Sequence, residues 1–334
     1  MAGPDGHNSA SRGLFSGSMK PVLSGAIAFL ILCAPAAGAP ANFLYMGSGD
    51  LEKSSALLQR PDIDGVQVVY SWKSLEPAKG QYDFSSIEQD LAAADAAHKK
   101  LFIQIQDRFF SPEARNVPDY LLTDPQYGGA LVAQVDNPGE SKPVGHGWVA
   151  MQWNPSVRVR YQALLKALAE KFDGKVFGVN LPETAADVDQ KHDKSGFSCD
   201  AYFDAEMQNL KVARAAFGKS HVVQYVNFWP CEWDNDHDYM GRLFKYAASH
   251  RIGLGGPDIV PFNKAQMKNS YPFFHRYKSK LDLVALAVQE ATLTYKNPAT
   301  GKPFTRQEFA RFASDYLGAD IIFWSAETPW LRNS

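Results

Sequence analysis

The chain has no basic surplus: 34 lysines and arginines face 36 aspartates and glutamates, for a formal net charge of −2. Displacing counterions from a phosphate backbone takes an excess of positive charge, so the composition argues against a nucleic-acid partner. Cysteine is scarce, with 3 in 334 residues and no C-x-x-C pair, which makes zinc ligation a weak reading. There is no H-E-x-x-H, no H-x-H after the first strand-like run and no G-x-S-x-G. Metal-dependent and serine-nucleophile hydrolysis therefore lack their ligands and their nucleophile elbow. Asp234-Asn235-Asp236-His237-Asp238 opens like a calcium loop, but Tyr239 replaces the required glycine and Lys245 the bidentate glutamate, so helix capping is the better account. No repeat of fixed period and no Pro/Gly linker divides the chain. Neither a metal nor a cofactor is expected.

Long apolar runs are missing too, with one exception near the start. Residues 22–32 follow Met19-Lys20-Pro21 and are too short to span a bilayer comfortably, which is the pattern of a secretory signal. Ala37-Gly38-Ala39 fits a cleavage site, with Ala39-Pro40-Ala41 as its competitor. Residues 1–39 thus read as an N-terminal extension plus signal whose true start is Met19, and residues 40–334 as one domain. Cys33 follows Leu32, a poor match to a lipidation site, so a soluble exported protein without a stable membrane anchor is expected. Removing the signal leaves Cys199 and Cys231, an even pair in an oxidising compartment, for which a disulfide is the natural reading. Closing a loop of about thirty residues contributes roughly 3 to 4 kcal/mol in the chain-entropy model.

What is present is an alternation of strand-like and helix-like segments. Short apolar or β-branched runs begin near residues 43, 65, 101, 176, 221, 252, 283 and 321. Between most of them apolar residues recur at i, i+3, i+4 and i+7, as in Tyr161, Leu164, Leu165 and Leu168. Eight such units in one domain predict an α/β fold, a single (β/α)8 TIM barrel. The segment after the third run, to about Trp153, is long and bears Pro and Gly. Loops of that length are usually functional, and His146 and Trp148 lie in it.

Active sites of such barrels lie at the carboxyl ends of the strands. Glu183 follows the fourth run and Glu290 the seventh, and those strands face each other across the mouth. Glycoside hydrolysis with retention needs one carboxylic acid to protonate the leaving oxygen and one carboxylate to attack the anomeric carbon. Glu183 fits the first role and Glu290 the second. Polar and aromatic residues at strand ends are the candidates for holding sugar: Trp72, Gln104, Asp107, Asn180, Gln224, Asn227, Trp229, Gln289 and Trp324. Alternation sends only about half of strand residues inward. Each tryptophan either stacks on sugar or fills the core, and Asp107-Arg108 is either a substrate contact or a structural ion pair.

Residues 72–84, Trp-Lys-Ser-Leu-Glu-Pro-Ala-Lys-Gly-Gln-Tyr-Asp-Phe, resemble the W-x-x-L-E-P-x-x-G-x-Y-D-F stretch after strand two in many retaining (β/α)8 glycoside hydrolases. Asn154-Pro155, opening the helix before strand four, adds to the resemblance. It implies the same glutamate pair and an oligo- or polysaccharide substrate. Many members place an asparagine directly before the acid/base, whereas here Asn180 stands three positions ahead of Glu183. That departure is the support for the rival reading, a carbohydrate-binding barrel without catalysis.

Overall fold

A computed structural model describes residues 38–135 and 147–332. The signal-like segment, Cys33 and His146 lie outside them. Eight parallel strands form a closed barrel, each paired with its sequence neighbour and the last with the first. They are β1 (Ala41–Gly47), β2 (Gly65–Ser71), β3 (Lys100–Gln106) and β4 (Gly178–Leu181), followed by β5 (His221–Tyr225), β6 (Gly253–Gly256), β7 (Val284–Val288) and β8 (Ile321–Ser325). The eight-fold alternation in the sequence is this barrel. Among the described residues no helix is long and apolar enough to cross a membrane.

Period-two alternation divides the strands into two packing systems. Outward side chains such as Val66, Val68, Ile103, Val179, Leu286 and Ile322 join the main core beneath the helices. Inward ones fill the barrel. Its lower part is plugged by Phe43, Phe102, Phe177 and Phe323, whose rings pack with centroids 5.4 to 6.0 Å apart. Rings of that size fit only because facing positions are small. A Cβ at Gly65 would stand 2.3 Å from the Phe43 ring, and one at Gly178 would stand 2.4 Å from that of Phe102. Glycines in β2 and β4 are therefore paired to the phenylalanines of β1 and β3.

The helix Pro155–Phe172 shows how local sequence sets an element. Asn154 caps it by accepting from the Ser156 amide at 2.9 Å, and Pro155 occupies the first turn, where no N–H is needed. Its apolar stripe, Tyr161, Leu164, Leu165 and Leu168, is buried against the barrel. The long segment after β3 carries a three-stranded antiparallel sheet of Arg108–Phe109, Leu131–Ala133 and Trp148–Ala150. Cys199, opening the helix Cys199–Ala216, is disulfide-bonded to Cys231 in the loop after β5, with Cα atoms 6.1 Å apart.

Candidate active site

At the carboxyl ends of the strands the apolar filling gives way to carboxylates. Tyr45 points inward from β1, two residues above Phe43. Burial, then the negative charges of Glu290, Asp258 and Glu183, push its hydroxyl up to about 12. One phenol thus reports that carboxylates following β7, β6 and β4 converge on the mouth. Tyr45 and Glu290 also line a cavity of about 280 Å³ beside Asp50, Lys53 and Glu327.

Each carboxylate is held by one side-chain donor. Asn227 donates its amide to Glu183 Oε2 at 3.0 Å. The Ser325 hydroxyl, at the end of β8, donates to Glu290 Oε1 at 2.6 Å. Thr292 donates to Asp258 Oδ1 at 2.5 Å. Burial raises the pKa of Glu183 above the ordinary carboxylate value; Arg108 and the Asn227 bond oppose that shift, while Asp258 and Asp187 add to it. Asp258 is raised by burial as well, against the Thr292 bond. A half-buried acid whose pKa burial raises thus follows β4, and an exposed glutamate follows β7.

Asn227 is oriented from behind. Gln266 donates to its Oδ1, and the Ser270 hydroxyl donates to Gln266 Oε1 at 2.5 Å. This relay turns the NH2 of Asn227 towards Glu183. The backbone around Glu183 is also fixed: the Thr184 hydroxyl donates to Phe228 O at 2.7 Å, and Tyr202 donates to Thr184 O at 3.0 Å. Fully buried Arg108 donates to Ala185 O at 2.5 Å and to Tyr202 at 3.0 Å. Its burial disfavours the charge, yet Tyr202, Asp107 and Glu206 more than offset that, and its pKa stands above that of a free guanidinium.

The predicted sugar-holding residues separate into two groups. Asn227 and the partly exposed Gln289 lie at the mouth. Gln104 and Asn180 face inward but sit beneath it, in register on β3 and β4, almost completely buried. Asn180 donates to Leu181 O at 3.1 Å and does not reach Glu183; Asn227 supplies the amide there instead. Asp107 is buried, with Arg108 at 3.3 Å and the Gln152 amide at 2.7 Å, so it is the structural ion pair and not a substrate contact. Gln224 has the outward parity of β5 and donates to Pro182 O and Tyr225 O. Trp324 likewise points outward, donating to Asn42 Oδ1 at 2.8 Å and packing edge-on against Trp330. Trp229 is buried among Tyr202, Phe203 and Tyr239. None of these last three lines the mouth.

Trp72 is also fully buried, packed edge-on against Tyr161 with its indole N–H donating to Glu76 at 2.9 Å. Glu76 accepts in addition from the Gly80 amide at 2.9 Å, Tyr120 at 3.0 Å and Arg160. The W-x-x-L-E-P segment is thus a buried fastening that ties the loop after β2 to the helix Pro155–Phe172. In the calcium-like stretch Asp238 precedes the helix Tyr239–Ser249 but makes no capping bond with its side chain. The capping comes from Asn235 of the same stretch, which accepts from Gly241 N at 2.9 Å, and from Glu232, which accepts from Tyr239 N at 2.5 Å and Met240 N at 3.0 Å. Sequence reading missed Tyr45 and Ser325. Both stand two residues beyond an inward phenylalanine, Phe43 and Phe323, and that spacing is the signal that finds them.

No family model matches the chain, and no curated protein sequence matches it. Solved structures do share the fold. The catalytic domain of β-amylase from Paenibacillus polymyxa superposes with a TM-score of 0.57 at 10% identity, over 86% of this chain and 93% of that one. A psychrophilic glycoside hydrolase family 10 endo-β-1,4-xylanase gives 0.52 at 10% identity, over 87% and 89%. A thermostable mutant xylanase from Cellvibrio japonicus gives 0.51 at 11% identity, over 90% of each. At such identities the likeness is one of fold.

Proposed function

We propose that the chain is an exported glycoside hydrolase that cleaves O-glycosidic bonds in an oligo- or polysaccharide by a retaining double displacement. The observation that carries this reading is the placement of two glutamates after opposite strands at the carboxyl end of the closed barrel, Glu183 after β4 bonded by Asn227 and Glu290 after β7 bonded by Ser325 and lining a cavity with the inward Tyr45. Protonated Glu183 gives its proton to the leaving oxygen while a Glu290 oxygen bonds to the anomeric carbon. Glu183, now a carboxylate, then takes a proton from water, whose oxygen displaces Glu290 and frees the sugar. Ser325 holds Glu290 in orientation, and Asn227 does the same for Glu183.

Three independent supports bear on the reading. The fold neighbours are, by name, a β-amylase and xylanases, enzymes of glycan cleavage. The segment at residues 72–84 resembles that of retaining barrels, which is the basis for double displacement. The Cys199–Cys231 disulfide and the signal-like start together favour export.

The test is hydrolysis of a panel of glycans and aryl glycosides by the mature protein, with Glu290→Gln alongside and the product anomer read by NMR. Activity lost in the variant with the anomer retained is the expected result. Glycan binding without hydrolysis of any member would return the chain to the non-catalytic barrel, and an inverted anomer would remove the nucleophile role from Glu290. Sequencing the N-terminus of protein recovered from outside the cytoplasm tests export.

A further inference from the structure

A second cavity lies at the same end of the barrel, between the loop after β5 and the short helices after β6. Its volume is about 630 Å³, within the range of small-molecule sites. The walls carry Lys264, Lys268 and Arg276 against a single carboxylate, Asp234, which stands 3.5 Å from Lys268. Lys264 and Arg276 are exposed and have no ion-pair partner among the described residues. In a chain of net charge −2, with three carboxylates at its mouth, this is a local reversal of sign.

Phe262 lines the groove, and Trp233 stands next to it, adjoining Asp234 and packed by Lys268. Phe262 is 63% exposed and Trp233 48% exposed, the latter with Lys268 Nζ 5.5 Å from its ring centroid. Phe262 holds φ at 63°, and in the facing loop Cys231, Asp234, Asn235 and Asp238 are all left-handed without being glycine. Such conformations, uncommon for phenylalanine and cysteine, persist where the surroundings over-determine them. Here the disulfide at Cys231 and the bond from Asp234 N to Asn269 Oδ1 at 2.9 Å do so. Rigid rings exposed beside cations form a surface suited to the apolar face of a sugar that also bears a negative charge.

The groove is joined to the acid by one element. The helix Lys264–Lys268 turns Lys264 and Lys268 to the groove and buries Gln266 on its other side, where Gln266 binds Asn227 and Asn227 binds Glu183. We infer that this groove is a remote subsite for an anionic sugar residue, bearing a uronate carboxylate or a sulfate ester, of the same glycan chain whose bond is cleaved at the mouth. The inference rests on the glycosidase reading for the identity of that chain, but the groove binds whether or not bonds are cut.

The experiment is direct binding to the full-length mature protein carrying Glu290→Gln, so that nothing turns over. The probes are polygalacturonate for the carboxylate, a sulfated carrageenan for the sulfate, and neutral xylan. At least one polyanion binds, its affinity falls at least tenfold between low salt and about 0.5 M salt because screening shortens the reach of the cations, and Lys264→Gln with Arg276→Gln weakens it at least tenfold further. Trp233→Ala, which leaves the cations in place, weakens the same probe. Equal affinity of the double variant for every polyanion, or xylan bound as tightly and as salt-sensitively as the polyanions, overturns the subsite. Hydrolysis of short aryl glycosides, which do not extend to the groove, stands or falls independently of this result.

Discussion

The two ends of the barrel are both rich in carboxylates, and they use them in opposite ways. At the amino-terminal end Asp173 accepts from the amides of Gly218, Lys219 and Ser220, Asp64 from Asn42 N at 2.8 Å, and Asp320 from Val284 N at 2.8 Å. These oxygens are committed to backbone that is itself fixed by the strands. At the carboxyl end Glu183, Asp258 and Glu290 are held by single side-chain donors from Asn227, Thr292 and Ser325. The pKa of Asp173 follows: burial raises it, the amide bonds outweigh that, and it lies below the ordinary value. Glu183 is displaced the other way. Three amides outweigh burial at Asp173, whereas the single amide from Val284 does not at Asp320, whose pKa burial raises; at Glu183 one side-chain donor likewise leaves burial to favour the protonated form.

Breaking the carboxyl end should abolish chemistry and spare the fold. Glu290→Gln is expected to lower kcat by about 10³-fold or more, and Glu183→Gln by about 10²- to 10⁴-fold, the range for lost general acid catalysis. Both variants should keep the circular dichroism of the parent. An aryl glycoside whose leaving group needs no proton should recover much of the bond-breaking step in Glu183→Gln but not in Glu290→Gln. Equal recovery in both would reverse the assignment of roles.

Breaking the plug does the converse. Phe102→Ala removes a fully buried ring packed against Phe177 and Phe323, and large aromatic truncations of this kind cost about 3 to 5 kcal/mol. Denaturant unfolding measures that loss, while the kcat of the remaining folded enzyme should change little. A stable Phe102→Ala protein with depressed kcat would mean that the barrel filling positions the mouth directly.

These contrasts also show what could be read from residues alone. Strand positions were legible because buried parallel strands are dense in β-branched and aromatic residues and helices repeat at 3.6. The two glutamates were legible because strand ends are where a barrel exposes them. Which neighbours reach them was not, since a shift of one residue exchanges the two faces. Trp324 drew attention by size, yet parity gives the mouth to Ser325. In β5 the same parity sends Tyr225 inward and Gln224 to the shell. Gln266 was beyond reach because it acts on Glu183 only through Asn227, a contact between loops after different strands.

The opposite pKa shifts of Asp173 and Glu183 give these two groups opposite pH dependences. Asp173, with its folded pKa lowered from 3.8, contributes stability that is present above that value and lost as pH falls through the folded pKa. Asp173→Ala should therefore cost about 1 to 3 kcal/mol near neutrality, from stranded amides, with the difference from the parent shrinking in acid. Glu183, raised from 4.5, is destabilising once pH climbs through the interval between its unfolded and folded values. Glu183→Gln should be the more stable protein at pH 7 and equal to the parent near pH 4, read by thermal melting at both. A gain in stability for Asp173→Ala, or a loss for Glu183→Gln at neutrality, would remove the distinction between these two acids.

The smallest effect is the most discriminating. Asn227 donates to the ionised form of Glu183 and thereby lowers its pKa against the larger effect of burial. Asn227→Ala removes that donor, so the pKa of Glu183 rises further. In the proposed mechanism Glu183 acts as the acid in its protonated form, so activity should decline as pH rises through its pKa. The alkaline limb of kcat/KM should accordingly move to higher pH in Asn227→Ala, even as kcat falls from lost orientation. Gln266→Ala should move the same limb by less, because Gln266 only turns the amide that touches the acid. An alkaline limb that stays in place in both variants would mean that a different group, Asp258 being the nearest in kind, carries the proton.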